Sequence, residues 1–137
     1  MIKIHDAIVI LFLCGLVCPL GYAESADAFS QNERLGRGVN ILGYDPIWRS
    51  RQQARFQTGH FEKIKAAGFQ TVRVNLHPFR HMDAAQDYAM KEAWWDVLDW
   101  AVENALKQDL MVILDLHEFN ALAEDPESKK GMFLAFW

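Results

Sequence analysis

The segment Met111–Asn120, MVILDLHEFN, is the feature that most constrains the fold. Its first six residues comprise five apolar side chains and one aspartate. Parallel strands that are covered by helices are nearly continuous apolar runs of this kind, so we predict a buried parallel strand over Met111–Leu116. The polar residues that follow, His117, Glu118 and Asn120, then lie at the carboxyl end of the strand, where parallel sheets bind their ligands.

Two earlier segments repeat the pattern of a short apolar run. Arg37–Leu42 and Thr71–Leu76 are rich in β-branched and aliphatic residues and are predicted to be strands. The strand centres near Val39, Val72 and Val112 are 33 and 40 residues apart. These spacings are the length of a strand–helix–strand unit, so the sequence predicts an α/β fold with three parallel strands.

The segments between the strands have helical periodicity. We predict helices over Phe61–Ala67 and from about Lys91 to Lys107, and another that begins near Asp125. The second helix has one broad apolar stripe, formed by Ala93, Trp94, Val97, Leu98, Ala101, Val102, Ala105 and Leu106. If the parallel sheet curves and closes on itself, we expect Val72, Val74, Val112 and Leu114 to face the inside of the closed sheet.

The size and charge of the chain exclude several classes of protein. At 137 residues and 51% hydrophobic composition, the chain suffices for one modest domain. The net charge is −4, and no basic block is longer than Lys129–Lys130. Binding to a phosphate backbone needs a concentrated positive surface, so we expect no nucleic-acid partner.

The amino terminus has the composition of a secretory signal peptide. Lys3 precedes an uncharged apolar run, Ala7–Leu16, and Gly21-Tyr22-Ala23 has small residues at its recognition positions. We predict a signal peptide over residues 1–23, with cleavage after Ala23 or, alternatively, after Ala28. The apolar run is shorter than the ~20 residues of a spanning helix, so we expect no stable membrane anchor and a secreted or periplasmic protein.

Residues 24–36 are polar and without periodicity, and we predict that they form a leader before a domain over residues 37–137. Both cysteines, Cys14 and Cys18, lie in the predicted signal peptide. The exported domain would therefore contain no disulfide.

Polar and aromatic side chains are concentrated after each predicted strand. The loop after the first strand has Tyr44, Asp45 and Trp48, and the ends of the other two strands carry Arg73, Asn75, His77, Arg80, His81, Asp115, His117 and Glu118. Histidine and carboxylate are suitable metal ligands, but the sequence has no His-x-His or His-Glu-x-x-His spacing. We predict neither a metal site nor a cofactor.

Four segments together resemble the amino-terminal part of a glycoside hydrolase family 5 domain, the cellulase-type enzymes. They are RGVNILG (37–43), FEKIKAAGFQTVRVNL (61–76), WWDVLDWAVENALKQDLMVILDLHEFN (94–120) and FLAFW (133–137). The resemblance implies a partial (β/α)8 TIM barrel: its first three parallel β/α units, in a truncated barrel domain over residues 37–137 that the signal peptide precedes.

The resemblance also implies retaining hydrolysis of the O-glycosyl bonds of a polysaccharide, with β-1,4-glucan as the expected substrate. Two glutamates do this chemistry in the family, an acid/base in an Asn-Glu pair after strand four and a nucleophile after strand seven. Both are expected beyond Trp137, so we expect the 137-residue chain alone to be inactive. The alternative is a catalytically inactive remnant or a weak carbohydrate-binding fragment.

The resemblance assigns roles to three residues of this sequence. Arg73 corresponds to the arginine that keeps the nucleophile ionised, and its alternative role is an ion pair with Asp115 inside the barrel. His117 corresponds to the histidine that faces the sugar beside the cleavage point, and the alternative is a hydrogen bond to nearby backbone. Asn40 occupies a position where the family has an asparagine.

Tyr44, Trp48 and His77 complete the predicted substrate-binding set. Flat aromatic rings on loops either stack on pyranose faces or anchor the loop, and the sequence leaves both roles open for Tyr44 and Trp48. Glu118 lies at a strand end but in a His-Glu order, so we expect a solvated loop acid and not the family acid/base.

Overall fold

The computed structural model describes residues 27–137, so the predicted signal peptide lies outside the described residues. Ten regular elements follow one another in this part: α1 (Ala28–Leu35), β1 (Gly38–Ile41), α2 (Thr58–Ala66), β2 (Thr71–Leu76), β3 (Met82–Asp83), β4 (Ala89–Met90), α3 (Glu92–Leu106), β5 (Met111–Leu116), α4 (Phe119–Glu124) and α5 (Pro126–Phe136). None of the helices between residues 27 and 137 combines the length and apolar character that a bilayer span requires.

The three predicted strands form one parallel sheet in the order β1-β2-β5. The predicted bounds of β2 and β5 are those observed, whereas β1 is two residues shorter than predicted. Val72 lies between Val39 on β1 and Val112 on β5, and Leu76 pairs with Leu116. The carboxyl ends of β2 and β5 therefore lie side by side, and the residues that follow these ends are close together.

The helix-facing side of β2 forms the centre of the core. Val72, Val74 and Leu76 are 0% exposed and belong to one cluster with Phe61 of α2 and Trp94 of α3. Each such valine or leucine buries enough apolar surface to contribute about 1.5–3 kcal/mol.

The prediction that the valines face the interior of the closed sheet is wrong. Val112 and Leu114 pair in register with Val72 and Val74 and lie on the same side as these residues, toward the helices. The other side of the sheet carries Arg73 and the polar residues that alternate with the valines. Leu114, on the outer strand of the described sheet, is 41% exposed.

The apolar stripe of α3 packs on the sheet as the periodicity predicts. Its buried residues are Trp94, Val97, Leu98, Ala101 and Ala105. Two other members of the predicted stripe, Ala93 in the first turn and Leu106 in the last, are instead exposed, Leu106 by 58%.

The segment predicted to be a leader without secondary structure contains helix α1. The Asp27 side chain accepts hydrogen bonds from Phe29 N and Ser30 N and caps the first turn. At the other end, Thr71 Oγ1 donates to the Leu35 carbonyl and ties the helix to the start of β2. None of the residues of α1 is buried, so packing in the core does not hold this helix.

A short antiparallel hairpin, β3–β4, lies between β2 and α3 and was not predicted. Its strands are two residues each, too short to show an alternating pattern. The turn contains Asp87 and Tyr88 at φ 49° and 62°, in the left-handed region. The Tyr88 ring lies against Gly131 of α5, where an added Cβ would come within 2.9 Å of the ring. The hairpin therefore contacts the last helix of the described chain.

Phe61→Ala is expected to destabilise the domain by about 3–5 kcal/mol, because it leaves a cavity beneath Phe56 and Trp100, whose rings pack edge-on against Phe61. Phe29→Ala is the matched control, since Phe29 is 83% exposed and its loss should change stability by less than about 0.5 kcal/mol. Urea unfolding monitored by tryptophan fluorescence measures both values. Equal effects of the two variants would contradict the assignment of Phe61 to the core.

Candidate functional site

The carboxyl ends of β2 and β5 carry a cluster of polar side chains joined by one carboxylate oxygen. Asp115 Oδ2 lies 2.9 Å from Arg73 Nη2, 2.9 Å from Asn75 Nδ2 and 2.7 Å from His117 Nδ1. We call these four residues the Asp115 cluster. Because Asn75 and Asp115 are partners in the parallel register, the strand pairing itself places the amide beside the carboxylate.

The Asp115 cluster determines which nitrogen of His117 carries the proton. An ionised carboxylate only accepts hydrogen bonds, so the short contact assigns an N–H to His117 Nδ1. In the neutral ring, Nε2 then has a lone pair that accepts a hydrogen bond. The His117 side chain is 43% exposed, so part of the ring faces solvent.

Arg73 makes the ion pair that the sequence analysis gave as its alternative role. Its Nη2 is bonded to Asp115, and its side chain is 40% exposed. A guanidinium group has five N–H donors, so donors remain for a second carboxylate. The role of Arg73 toward a family nucleophile stays a prediction. Beside the cluster, an open depression of about 560 Å³ is lined by Arg73, Asp115, His117 and Phe119, among others.

Stacked aromatic rings connect the Asp115 cluster to the loop after β1. The Tyr44 and His77 rings are parallel within 18°, with centroids 4.4 Å apart, and the His77 ring meets the His117 ring edge-on at 5.3 Å. Tyr44 is 72% exposed, so its ring is available for stacking on a sugar. The predicted residues Tyr44, His77 and His117 are thus brought together, and their binding of substrate stays a prediction.

The surroundings of His77 favour its neutral form. Burial lowers the pKa of His77, and the Arg80 charge lowers it further, while Glu118 and Asp115 act in the opposite direction. His77 Nε2 is a buried atom that has no hydrogen-bond partner among the residues the structure describes. A buried polar atom without a partner is rare and indicates a place where water or a ligand atom binds.

Trp48 lies in the core, which favours the loop-anchoring role that the sequence analysis left open beside sugar binding. It is 8% exposed and stacks on Trp94, with centroids 4.8 Å apart. Its Nε1 donates to the Leu42 carbonyl at 2.8 Å. The ring therefore anchors the loop after β1, and little of its surface remains for a sugar.

Asn40 and the turn after β1 form the near side of the site. Asn40 is exposed and pairs in register with Arg73, so the two residues lie on the same face of the sheet. Leu42, two residues later, has φ 66°, a left-handed conformation that is costly for a branched side chain. Its backbone turns the chain so that Tyr44 lies over His77. The sugar-binding role of Asn40 stays a prediction.

Glu118 is not the solvated acid that we expected. Its Oε1 accepts a hydrogen bond from Phe79 N at 2.9 Å, and the residue is only partly exposed. This bond joins the loop after β5 to the loop after β2. Glu118 therefore has a structural partner on the neighbouring strand end.

Sequence reasoning gave too little weight to Asp115 and Asn75. Asn75 follows Arg73 by two residues, and Asp115 precedes His117 by two residues. Residues two apart on a strand lie on the same face, so this two-residue period is the signal that identifies Asn75 and Asp115. Between residues 27 and 137, no group of three or more His, Cys, Asp or Glu side chains is arranged to hold a metal ion.

The comparison with known families agrees with this geometry. The profile of Cellulase (glycosyl hydrolase family 5) matches residues 32–137. The chain belongs to this family. The resemblance inferred from the strand and helix motifs is thereby confirmed.

Relatives and solved structures of family 5 extend the match. The chain is 42% identical over 57 residues to the xyloglucan-specific endo-β-1,4-glucanase BoGH5A of Bacteroides ovatus, an alignment of 42% of this chain and 11% of that protein. Endoglucanase B of Clostridium cellulovorans is 36% identical over 83 residues, 61% of this chain and 18% of the relative. Thermotoga maritima Cel5A in complex with mannotriose superposes with a TM-score of 0.69 at 33% identity, over 81% of this chain and 36% of Cel5A.

The chain spans 36% of the length of Thermotoga maritima Cel5A and less than a fifth of the length of the two curated relatives. The solved family 5 structures it matches are TIM-barrel enzymes. The sheet β1-β2-β5 with its helices corresponds to a part of that barrel, which agrees with the predicted partial barrel.

Asp115→Asn is expected to release His117 from its Nδ1–H tautomer, because the amide no longer requires a donor from the ring. Proton–nitrogen spectra of the histidine rings should show one predominant tautomer in the native chain and a mixture in the variant. The unpaired Arg73 should also lower stability by about 1–3 kcal/mol. Asp99→Asn, on the exposed side of α3, is the control. An unchanged His117 tautomer in Asp115→Asn would contradict the assignment.

The stability of this family 5 domain should fall as the pH is lowered below about 6.5, the ordinary pKa of histidine. The pKa values of His77 and His81 are lowered in the fold, so the unfolded chain binds protons more readily in this range. Urea midpoints measured between pH 8 and pH 5 check the slope, and the double variant His77→Gln/His81→Gln should flatten it. The lowered pKa values of Asp27 and Asp125 act only at lower pH, as the carboxylates protonate. A native slope of zero would exclude the histidine contribution.

Proposed function

We propose that this chain is the sugar-positioning part of a retaining endo-β-1,4-glucanase. The observation that carries the proposal is the Asp115 cluster, in which one carboxylate orients Arg73 and His117 at the ligand-binding end of the sheet. His117 Nε2 accepts a sugar hydroxyl, and the exposed ring of Tyr44 stacks on a pyranose face. A polar group that fixes orientation beside an aromatic surface is the usual composition of a carbohydrate site.

The relatives support a β-linked substrate. Two curated relatives are endoglucanases, and one of these is specific for xyloglucan. Thermotoga maritima Cel5A has been solved in complex with cellobiose and with mannotriose. We assign β-1,4-glucan as the substrate of this chain because the glucanase activity is common to the relatives.

Hydrolysis requires two carboxylates that this part of the chain does not supply. Retaining cleavage needs a nucleophile and an acid/base about 5–5.5 Å apart. Asp115 already accepts three hydrogen bonds on one oxygen, and Glu118 is bonded to Phe79 N. We assign the two catalytic glutamates to later strands of the family barrel, and we propose that the 137 residues alone bind glucan without cleaving it.

Export is part of the same proposal. A polysaccharide is too large to enter a cell intact, so an enzyme that degrades it acts outside the cytoplasm. The predicted signal peptide over residues 1–23 agrees with a secreted or periplasmic location. Amino-terminal sequencing of the exported protein decides between cleavage after Ala23 and after Ala28.

The binding test uses the full chain and cellotetraose, followed by NMR. Addition of the sugar should shift the signals of Tyr44, Arg73 and His117. His117→Ala should weaken binding about fivefold, the equivalent of one hydrogen bond of ~1 kcal/mol, whereas Glu62→Gln on the exposed side of α2 should have no effect. Shifts confined to residues outside the Asp115 cluster, or none at all, would refute a glucan site here.

The activity test is the release of reducing sugar from carboxymethyl cellulose by the full chain. No release is expected, because neither Asp115 nor Glu118 is free to act as one of a carboxylate pair. Release that Glu118→Gln abolishes would show that Glu118 is catalytic and that this part of the proposal is wrong.

A further inference from the structure

A cleft lined by basic side chains lies between the loop after β1 and the loop after β2. Arg49, Arg80, His81 and Lys91 line a depression of about 410 Å³, and the first three of these also line an adjoining hollow of about 100 Å³. We call these four residues the basic cleft. It is separate from the depression beside Arg73 and Asp115 and shares no lining residue with it.

The cations of the basic cleft are not paired with neighbouring acids. Arg49, Arg80 and Lys91 make no ion pair with another residue of the described range 27–137. Asp83, which also lines the larger depression, bonds to Ala85 N and to the Gln86 amide. In a chain of net charge −4, such a concentration of free cations is unexpected and indicates an anionic partner.

The acid of the adjoining hollow, Asp45, is similarly engaged. Its carboxylate accepts hydrogen bonds from Ile47 N at 2.9 Å and Phe56 N at 3.0 Å. Its contact with Arg55, at 4.0 Å, is directed away from the basic cleft, since Arg55 does not line either depression. Hydrogen bonds from neutral N–H groups do not remove the charge of a carboxylate, but the three cations Arg49, Arg80 and Lys91 outnumber the two acids of the lining, Asp45 and Asp83.

The surroundings of two histidines point to a ligand in the same place. The pKa of His81 is lowered by burial and then by Arg80, Arg49 and Lys91, so the three cations act together on one point. His77 lines the hollow, is 6% exposed, and has at Nε2 a buried atom without a partner among the described residues.

The ring of Tyr44 indicates what kind of anion fits. Tyr44 lines the hollow, is 72% exposed, and has the Arg80 guanidinium carbon 5.0 Å from its ring centroid. A pyranose stacks on such a ring, and a guanidinium binds a carboxylate with two parallel hydrogen bonds. A sugar that carries its own carboxylate meets both requirements at once.

We propose that the basic cleft binds the carboxylate of a uronic acid unit in the polysaccharide, with the sugar ring on Tyr44 and the carboxylate between Arg49, Arg80 and Lys91. The inference rests on the proposed function, because it names an acidic glycan as the preferred form of the same substrate. No covalent step is involved.

The test compares two oligosaccharides that differ in one group. Cellotetraose and its analogue with one glucose oxidised at C6 to glucuronic acid are titrated against the full chain at low salt, with affinity measured by NMR shifts. The acidic ligand should bind about tenfold more tightly, as expected for a charge-assisted hydrogen bond, and the preference should shrink with added salt. The protein signals that shift on addition of the acidic ligand should include those of Tyr44 and His77.

Two variants test whether the preference for the acidic oligosaccharide depends on the basic cleft. Arg49→Gln and Lys91→Gln should each reduce the preference for the acidic ligand severalfold and leave binding of neutral cellotetraose unchanged. Lys130→Gln removes an exposed positive charge on α5 and is the matched control. Arg80→Lys keeps the charge but not the planar fork, and should lose part of the preference while the fold is retained.

The outcomes separate this inference from the proposed function. Equal affinity for the two oligosaccharides overturns the uronate site and leaves the glucanase proposal intact. Binding of neither oligosaccharide, in a chain whose amide spectrum is dispersed, overturns both. Inorganic phosphate that competes as strongly as free glucuronate shows a general anion site and overturns the assignment of a sugar carboxylate.

Discussion

The parallel pairing of β2 with β5 is the constraint on which the core and the candidate site both depend. One register sets Val72 beside Val112 and Asn75 beside Asp115. Because side chains alternate across a strand, the same pairing buries valines under α2 and α3 on one face and collects polar groups on the other. A slip of one residue would exchange the faces, placing Arg73 beneath the helices and the valines where the polar groups now lie. The burial energy of the core thus also enforces the geometry of the Asp115 cluster.

The sequence predicted the main elements because their signals are strong and local. The apolar runs of β2 and β5 and the stripe of α3 gave bounds within a residue or two of those observed. It did not predict α1 or the hairpin β3–β4, since α1 buries no residue and is held by its Asp27 cap, and strands of two residues are too short to show alternation. The face of the valines was assigned wrongly for a different reason. The alternation along β2 shows that one side of the strand is apolar and the other polar, but it does not show which side the helices cover.

The sequence predicted part of the site. The predictions succeeded where they depended on the local sequence and failed where a side chain contacts residues far away in the chain. Whether a residue follows a strand end can be read from the local sequence, and this correctly predicted that Tyr44, His77 and His117 lie together. The environment of a side chain depends on residues far away in sequence. Trp48 was a candidate sugar platform until its contact with Trp94, 46 residues later, placed it in the core. In the same way, the bond between Glu118 and Phe79 joins two loops whose separation in space cannot be read from the order of residues.

His77 links the two halves of the candidate site. Its ring packs on Tyr44 beside the basic cleft and meets the His117 ring of the Asp115 cluster, so the three rings form a continuous packed path. The charges on either side act on it in opposite directions, since Arg80 lowers the pKa of His77 while Glu118 and Asp115 raise it. A carboxylate bound next to Arg80 would offset part of the first effect and bring the pKa of His77 closer to its ordinary value. An anionic sugar in the basic cleft therefore changes the electrostatic surroundings of the ring that touches His117, and the two places where a glycan would be held are coupled through one imidazole.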